Sequence, residues 1–364
     1  MPIEPNKKLE DCDYCELKGE LRKRETEYAN PGAKRSRPLA AHDSQTICNQ
    51  LIKKETIEYG VSNRKLVYGS DDREDLFQVG SAEIRQRADA VLAMIDMSRI
   101  SDNGDGSSTI RTVRFADAQN LCNSERFGQQ PTGPSCTGFL VAPDIVATAG
   151  HCVNNNDLAR TRFFFGFQMI DKDNPRLLIP NDDIFRGVAI IDRKLESTTS
   201  DYALVKLDRP VANRPILKLR RSGKISDDAN VYVIGHPSGL PLKFADGAYV
   251  RGNDDPVFFV ANLDTYGGNS GSPVFNQDTH EVEGILVRGD ADFVSNGSCN
   301  ISNVCPITGC RGEDVTRVSE FKNNVPLTTS TVPVDSSLDA RVTTVENTLT
   351  KISQDLSDIK AKLP

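Results

Sequence analysis

From about residue 75 to about residue 320 the chain repeats one pattern: a short apolar run, then a cluster of Gly, Pro, Asn or Asp. CTGFLVA, DIVATAG, RFFFGFQM, GVAIID, YALVKL, NVYVIGHP, PVFFVANL, GSPVF and EVEGILVRG are of this kind, rich in Val, Ile, Phe and Tyr. Such side chains suit a pleated, half-buried surface, and turn residues at short intervals leave little room for long helices. The pattern predicts an all-β barrel or sandwich. One helix is expected over 82–90, AEIRQRADA.

The flanks differ in kind. Residues 1–74 read as a charged N-terminal extension, a prosegment or disordered stretch, with KK, KRE, AKRSRP and IKKE clusters and no apolar period. Cys12 and Cys15 form a CxxC there. Zinc would need two more ligands, and only Cys48 and His42 lie nearby, so free or disulfide-bonded thiols are the preferred reading. Residues 75–322 form the expected main domain, 323–336 a Thr/Ser/Pro-rich linker, and 337–364 a short coiled-coil helix. In that last segment Leu338, Val342, Val345, Leu349, Ile352, Leu356, Ile359 and Leu363 follow steps of 4, 3, 4, 3, 4, 3, 4. A stripe this narrow is a coiled-coil seam rather than the wider face of a helix packed on a domain. With Val342 at position a, mostly Leu follows at a, and Val345, Ile352 and Ile359 fall at d, a choice that leans toward trimers or tetramers. A homo-oligomer through residues 337–364 is therefore expected.

Composition excludes some partners. A net charge of −7 and a pI of about 5.3 leave no electrostatic footprint for nucleic acid. No apolar run approaches the roughly 18 residues of a membrane span, so no membrane partner is expected. The N-terminal MPIEPNKKLEDCDYCELKGE lacks the apolar stretch of a secretory leader. Nine cysteines, an odd number, imply at least one that is free, intermolecular or metal-bound.

Three segments carry chemistry, in this order: ATAGHC with His151, SDYALVKLD with Asp201, and GGNSGSPVF with Ser270. A serine hydroxyl is a weak nucleophile until a neighbouring base takes its proton. An imidazole can act as base and then as acid. A buried carboxylate fixes the imidazole tautomer and stabilises its charged form. Gly267 and Gly268 permit a tight turn, and the N–H groups of Gly268 and Ser270 are the expected oxyanion donors. Asp208 is the rival to Asp201, but it follows its apolar run and precedes Arg209-Pro210, a turn. His236 reads as a satisfied core or loop histidine and His280 as solvent-facing. No cofactor and no metal is required.

These ordered motifs resemble the chymotrypsin/trypsin superfamily of serine peptidases. GGNSGSPVF, with IGHPSGLPLK upstream, is most similar to the bacterial glutamyl-endopeptidase-like branch. The resemblance covers roughly residues 85–320 and implies a double β-barrel and a serine endopeptidase acting on protein or peptide substrates. It also implies a disulfide between Cys136 and Cys152, and a secreted location, with a cytoplasmic one as the alternative. Cys305 and Cys310 are the favoured pair among Cys299, Cys305 and Cys310, and Cys122 has no assigned partner.

Two departures matter. Residue 269 is Asn where zymogens of the family carry an Asp that receives a new N-terminal amine, and Tyr266 replaces a pocket cysteine. In trypsin-like members an Asp at the offset of Asp264 lies at the base of the primary specificity pocket and selects basic side chains. The alternative is a structural Asp capping a turn. Gly289 resembles the glycine of the pocket wall. Arg288 beside it would pair with Asp264, or favour acidic side chains, if it pointed inward. Leu286 stands where glutamyl endopeptidases use a histidine, which argues against glutamate preference. The competing function is a catalytically silent scaffold that oligomerises through its C-terminal coiled coil. An acyl hydrolase acting on esters is a third.

Overall fold

The computed structural model describes residues 67–68, 71–196, 200–289, 292–306 and 309–326. The expected linker beyond 326, the coiled-coil segment, and the CxxC with Cys48 and His42 lie outside the described residues.

The chain enters with two short strands, β1 (Val67–Tyr68) and β2 (Arg73–Asp75), followed by helix α1 (Ala82–Ala88). The helix falls where the sequence places it. Ser81 caps its start, its side chain accepting from the Ile84 N–H, and Ile84 and Ala88 turn inward.

Six strands then form the first barrel: β3 (Val91–Asp96), β4 (Cys136–Ala142), β5 (Ile145–Thr148), β6 (Thr161–Phe165), β7 (Ile184–Leu195) and β8 (Asp201–Leu207). They close in the order β6-β7-β8-β5-β4-β3 through antiparallel pairs. Strand β4 is buried along its whole length, as CTGFLVA suggests, because it packs into the core on both faces.

The second barrel uses β9 (Asn230–Gly235), β10 (Lys243–Gly252), β11 (Phe258–Ala261), β12 (Pro273–Asn276), β13 (Val282–Arg288) and, after β14 (Val304–Cys305), β15 (Glu313–Arg317). The order is β9-β12-β13-β15-β11-β10, closed by pairing of β9 with β10. Closure removes the open edges that an all-β chain must protect. One apolar cluster runs from Phe139, Val146 and Leu204 of the first barrel to Tyr232, Phe275 and Ile285 of the second.

Described residues on either side of 75–322 also pack onto the barrels. Strand β2 adds an antiparallel edge to β10, and β1 pairs in parallel with β14. Val67, Tyr68 and Arg73 are buried, so the packing includes residues before 75. Phe321 and Val325 are also buried, which carries it past 322. Charged residues such as Arg73 hid this from an apolar-pattern reading.

Candidate active site

Strand β5 ends at Thr148, and Ala149-Gly150 carry the chain to His151. A Cβ on Gly150 would meet the Lys194 carbonyl at 2.2 Å and the Tyr202 carbonyl at 2.9 Å. Only a glycine lets this turn lie flat on β7 and β8, and that approach brings His151 to Asp201, the first residue of β8. The Asp201 carboxylate accepts the His151 backbone N–H at 3.1 Å and lies 2.7 Å from His151 Nδ1. Burial alone would raise the Asp201 pKa. The hydrogen bond and charge of His151, with the charge of Arg288, outweigh burial and hold it below its usual value. The Asp201 N–H donates to Thr316 Oγ1 of β15 at 3.3 Å, which ties this end of the first barrel to the second.

Ser270 lies in the loop between β11 and β12. The Asn269 N–H donates to the Tyr266 carbonyl at 3.1 Å and the Ser272 N–H to the Asn269 carbonyl at 2.9 Å, folding the loop into successive tight turns. Gly268 has φ +88°, and a Cβ there would come within 2.7 Å of both Gly239 N and the His236 carbonyl. Ser270 is held in place through its carbonyl, which accepts the Thr137 N–H at 2.9 Å and lies 3.5 Å from Cys152 Sγ. The Ser270 hydroxyl and His151 Nε2 are both buried, and neither has a hydrogen-bond partner among the described residues. The amides of Gly268 and Ser270 likewise donate to no acceptor among the described residues.

Cys152 pairs with Cys136, the disulfide implied by the family resemblance, and Cys305 pairs with Cys310. Cys122, unassigned from sequence, pairs with Cys299 across 177 residues, a contact that no local pattern announces. His151 and the two sulfurs of the Cys136–Cys152 pair offer donor atoms within 4.8 Å of one another. With both sulfurs in a disulfide, no thiolate there is available to a metal.

The remaining expected residues fall as follows. His236 is buried, donates from Nδ1 to the Leu240 carbonyl at 2.9 Å, and is pushed down to about 4 by burial. His280 is half-buried: its Nδ1 lies 3.0 Å from the Tyr232 hydroxyl and its ring packs edge-on to that tyrosine, while its Nε2 lies 3.7 Å from the exposed Glu83 carboxylate. Asp208 is engaged by Arg186 at 3.0 Å and Arg209 at 3.2 Å, away from the histidine. Asn269 is buried, its side-chain oxygen accepting from Ser272 Oγ at 3.2 Å.

The pocket residues give a mixed result. Arg288 does not meet Asp264; it turns to the buried Asp314 of β15, with Nε 3.1 Å from the carboxylate. Asp264 is buried, with its oxygens 2.6 Å from the Tyr68 N–H and 3.0 Å from the Asp72 N–H. Burial pushes it up to about 7, the two backbone donors and Arg73 pulling the other way. Gly289 lies against a residue that sequence reasoning missed. A Cβ on Gly289 would stand 2.0 Å from Glu313 Oε2, so the wholly buried Glu313 carboxylate packs directly on it. The sequence carried no apolar signal for Glu313, since its strand reads EDVTR with Val315 alone apolar.

Two closed six-stranded antiparallel barrels, with a His–Asp pair on one and a buried serine on a glycine turn of the other, define the chymotrypsin-like class of double-barrel proteins. Residues 136–285 match the family model for the trypsin-like peptidase domain. Over that stretch, less than half of its length, the chain is similar to trypsin-like peptidase domains, glutamyl endopeptidase among them. It is 30% identical over 163 residues to secreted RxLR effector protein 73 of Plasmopara viticola, covering 40% of this chain and 39% of that protein. It is 28% identical over 151 residues to the glutamyl endopeptidase of Bacillus licheniformis, covering 39% of this chain and 46% of that protein. The alignments thus span less than half the length of these relatives. Among solved structures it is similar to a Glu endopeptidase in complex with MPD, at 19% identity, 71% and 98% coverage and a TM-score of 0.42. The Vibrio cholerae VesB protease follows at 14% identity, 70% and 66% coverage and a TM-score of 0.42.

Proposed function

We propose that the chain is a serine endopeptidase in which Ser270 attacks the scissile carbonyl, His151 takes and returns the proton, and Asp201 holds the imidazole. The supporting observation is the 2.7 Å His151–Asp201 contact together with the two buried, unpartnered atoms, His151 Nε2 and Ser270 Oγ. Nδ1–H directed at a carboxylate leaves the Nε2 lone pair to accept a proton. Burial of unpaired polar atoms is unfavourable, and active sites are where such atoms are kept for use. In the proposed cycle Ser270 Oγ forms a bond to the carbonyl carbon while its proton passes to Nε2. The oxyanion is received by the amides of Gly268 and Ser270, which donate to no acceptor among the described residues. Collapse transfers the proton to the leaving amine and leaves an acyl-Ser270 ester, which water hydrolyses through the same histidine.

A preference for basic residues before the scissile bond is part of the proposal. Its support is the Glu313 carboxylate against Gly289, with Leu286 in place of a glutamate-reading histidine. The N-terminal extension as a prosegment, a secreted location and self-association through residues 337–364 are further parts of the reading, and rest on the sequence and its resemblance alone.

Treatment with phenylmethylsulfonyl fluoride, followed by peptide mapping, tests the chemistry: a single label at Ser270 is expected. Folded protein that takes up no label would favour the silent scaffold. Cleavage of a diverse peptide library should then yield products ending in Lys or Arg. Products ending in Glu would refute the specificity reading.

A further inference from the structure

The nucleophile loop is gripped from outside by the chain that precedes the first barrel, and one of the gripping points is the residue expected to read substrate. Asp264 accepts two backbone N–H groups, those of Tyr68 and Asp72, and it is 4% exposed. A second contact lies two residues further on. The buried Arg73 guanidinium stacks 3.8 Å from the centre of the Tyr266 ring, and Asp71 fixes it in a two-pronged pair, with Arg73 Nε and one terminal nitrogen each 2.7 Å from an Asp71 oxygen. Tyr266 is anchored on its far side by its hydroxyl, 2.5 Å from Ser302 Oγ. The Tyr266 carbonyl in turn accepts the Asn269 N–H, closing the turn that sets the Gly268 and Ser270 amides.

We infer that Asp264 is a positioning residue: it latches the Tyr68 and Asp71–Arg73 backbone onto the loop that presents Ser270, and so sets the oxyanion donors rather than the preference for a substrate side chain. The inference rests on the peptidase reading above. Its physical basis is the character of the contacts. A carboxylate bonded to backbone N–H groups responds to where a segment lies, not to what side chains it carries. Oxyanion donors help only when they are oriented before the charge develops, so a loop free to relax reacts more slowly without binding substrate less well. The ion-pair route of activation is closed to Asn269. The latch supplies an uncharged-backbone alternative, two residues before Tyr266 and four before Gly268.

Asp264→Asn separates the two roles. The amide keeps the shape but presents an N–H₂ group to one of the two backbone donors, breaking one bond. Sulfonylation of Ser270 and kcat on a peptide amide are expected to fall together, by about 10- to 100-fold for a displacement of about 1 Å. KM and the Arg-to-Leu ratio of kcat/KM should stay within about twofold. Asp264→Glu, which retains both acceptors, should recover part of the sulfonylation rate. Arg73→Lys keeps the charge but loses the planar stack on Tyr266, and should move kcat the same way. It serves as the test if the Asp264→Asn chain does not fold, as judged by circular dichroism. Unchanged sulfonylation in the folded variant would overturn the latch. A collapsed Arg-to-Leu ratio with an unchanged sulfonylation rate would return Asp264 to the pocket. A wild-type chain inert to the reagent would instead defeat the peptidase reading itself.

Discussion

At the scale of single residues, function concentrates on groups with unusual neighbours. Replacing Ser270 with Ala removes one buried oxygen that has no hydrogen-bond partner among the described residues. Turnover should fall about 10⁴-fold or more with no loss of stability; peptide cleavage and a urea melt measured on the same preparation decide it. Gly268→Ala adds a methyl to a left-handed residue and drives it to 2.7 Å from two backbone atoms. It should reduce acylation more than binding, read as a lower kcat at similar KM. Two buried groups make opposing demands on pH. His236, depressed to about 4, stays neutral in the fold while an unfolded chain takes up a proton. Its contribution is full above about 6.5 and is lost as pH falls toward 4. Asp264, raised to about 7, works in the other direction: its contribution is full below about 4 and is lost as pH rises toward 7. The two partly cancel between pH 4 and 6.5. Asp264→Asn should therefore make the urea midpoint fall more steeply on acidification than in the wild type. Parallel slopes would show that Asp264 does not titrate in that range.

At the scale of elements, the Cys136–Cys152 disulfide joins the start of β4 to the turn after β5, a span of 16 residues. Replacing both cysteines with Ser should lower stability by about 3 kcal/mol on the loop-entropy argument. Because Cys152 Sγ also lies beside the Ser270 carbonyl, the same change should loosen the nucleophile and reduce activity at temperatures well below the melt. Calorimetry and initial rates measured in parallel test this. The strands themselves were legible because Val, Ile and Phe in short runs, bounded by Gly and Asn, leave few alternatives. Strand β2 was not, because RED carries no apolar signal. It is a strand only because β10 offers it an edge and because Arg73, Asp75 and Lys243 find partners there.

At the scale of the whole molecule, deleting residues 335–364 should reduce the mass measured by light scattering and leave activity per domain unchanged; an unaltered mass would reject self-association through that segment. The sequence by itself determined the all-β character and, through its family resemblance, the Cys136–Cys152 pair, and it nominated His151, Asp201 and Ser270 for the chemistry proposed above. Residue type, order and local turn chemistry suffice for these, since periodicity and glycine placement act over a few neighbours. Tertiary structure alone decided that Asp264 faces the backbone of Tyr68 and Asp72, 196 and 192 residues away, that Arg288 goes to Asp314, and that Glu313 packs on Gly289. The same holds for the Cys122–Cys299 disulfide. For Arg288 and Asp314 the partner is chosen by which strands a closed barrel makes adjacent, while the Asp264 and Cys122–Cys299 contacts join segments outside the barrel strands. Adjacency of that kind follows from burying both barrels' apolar faces at once, a condition on the entire chain that no local stretch of residues carries.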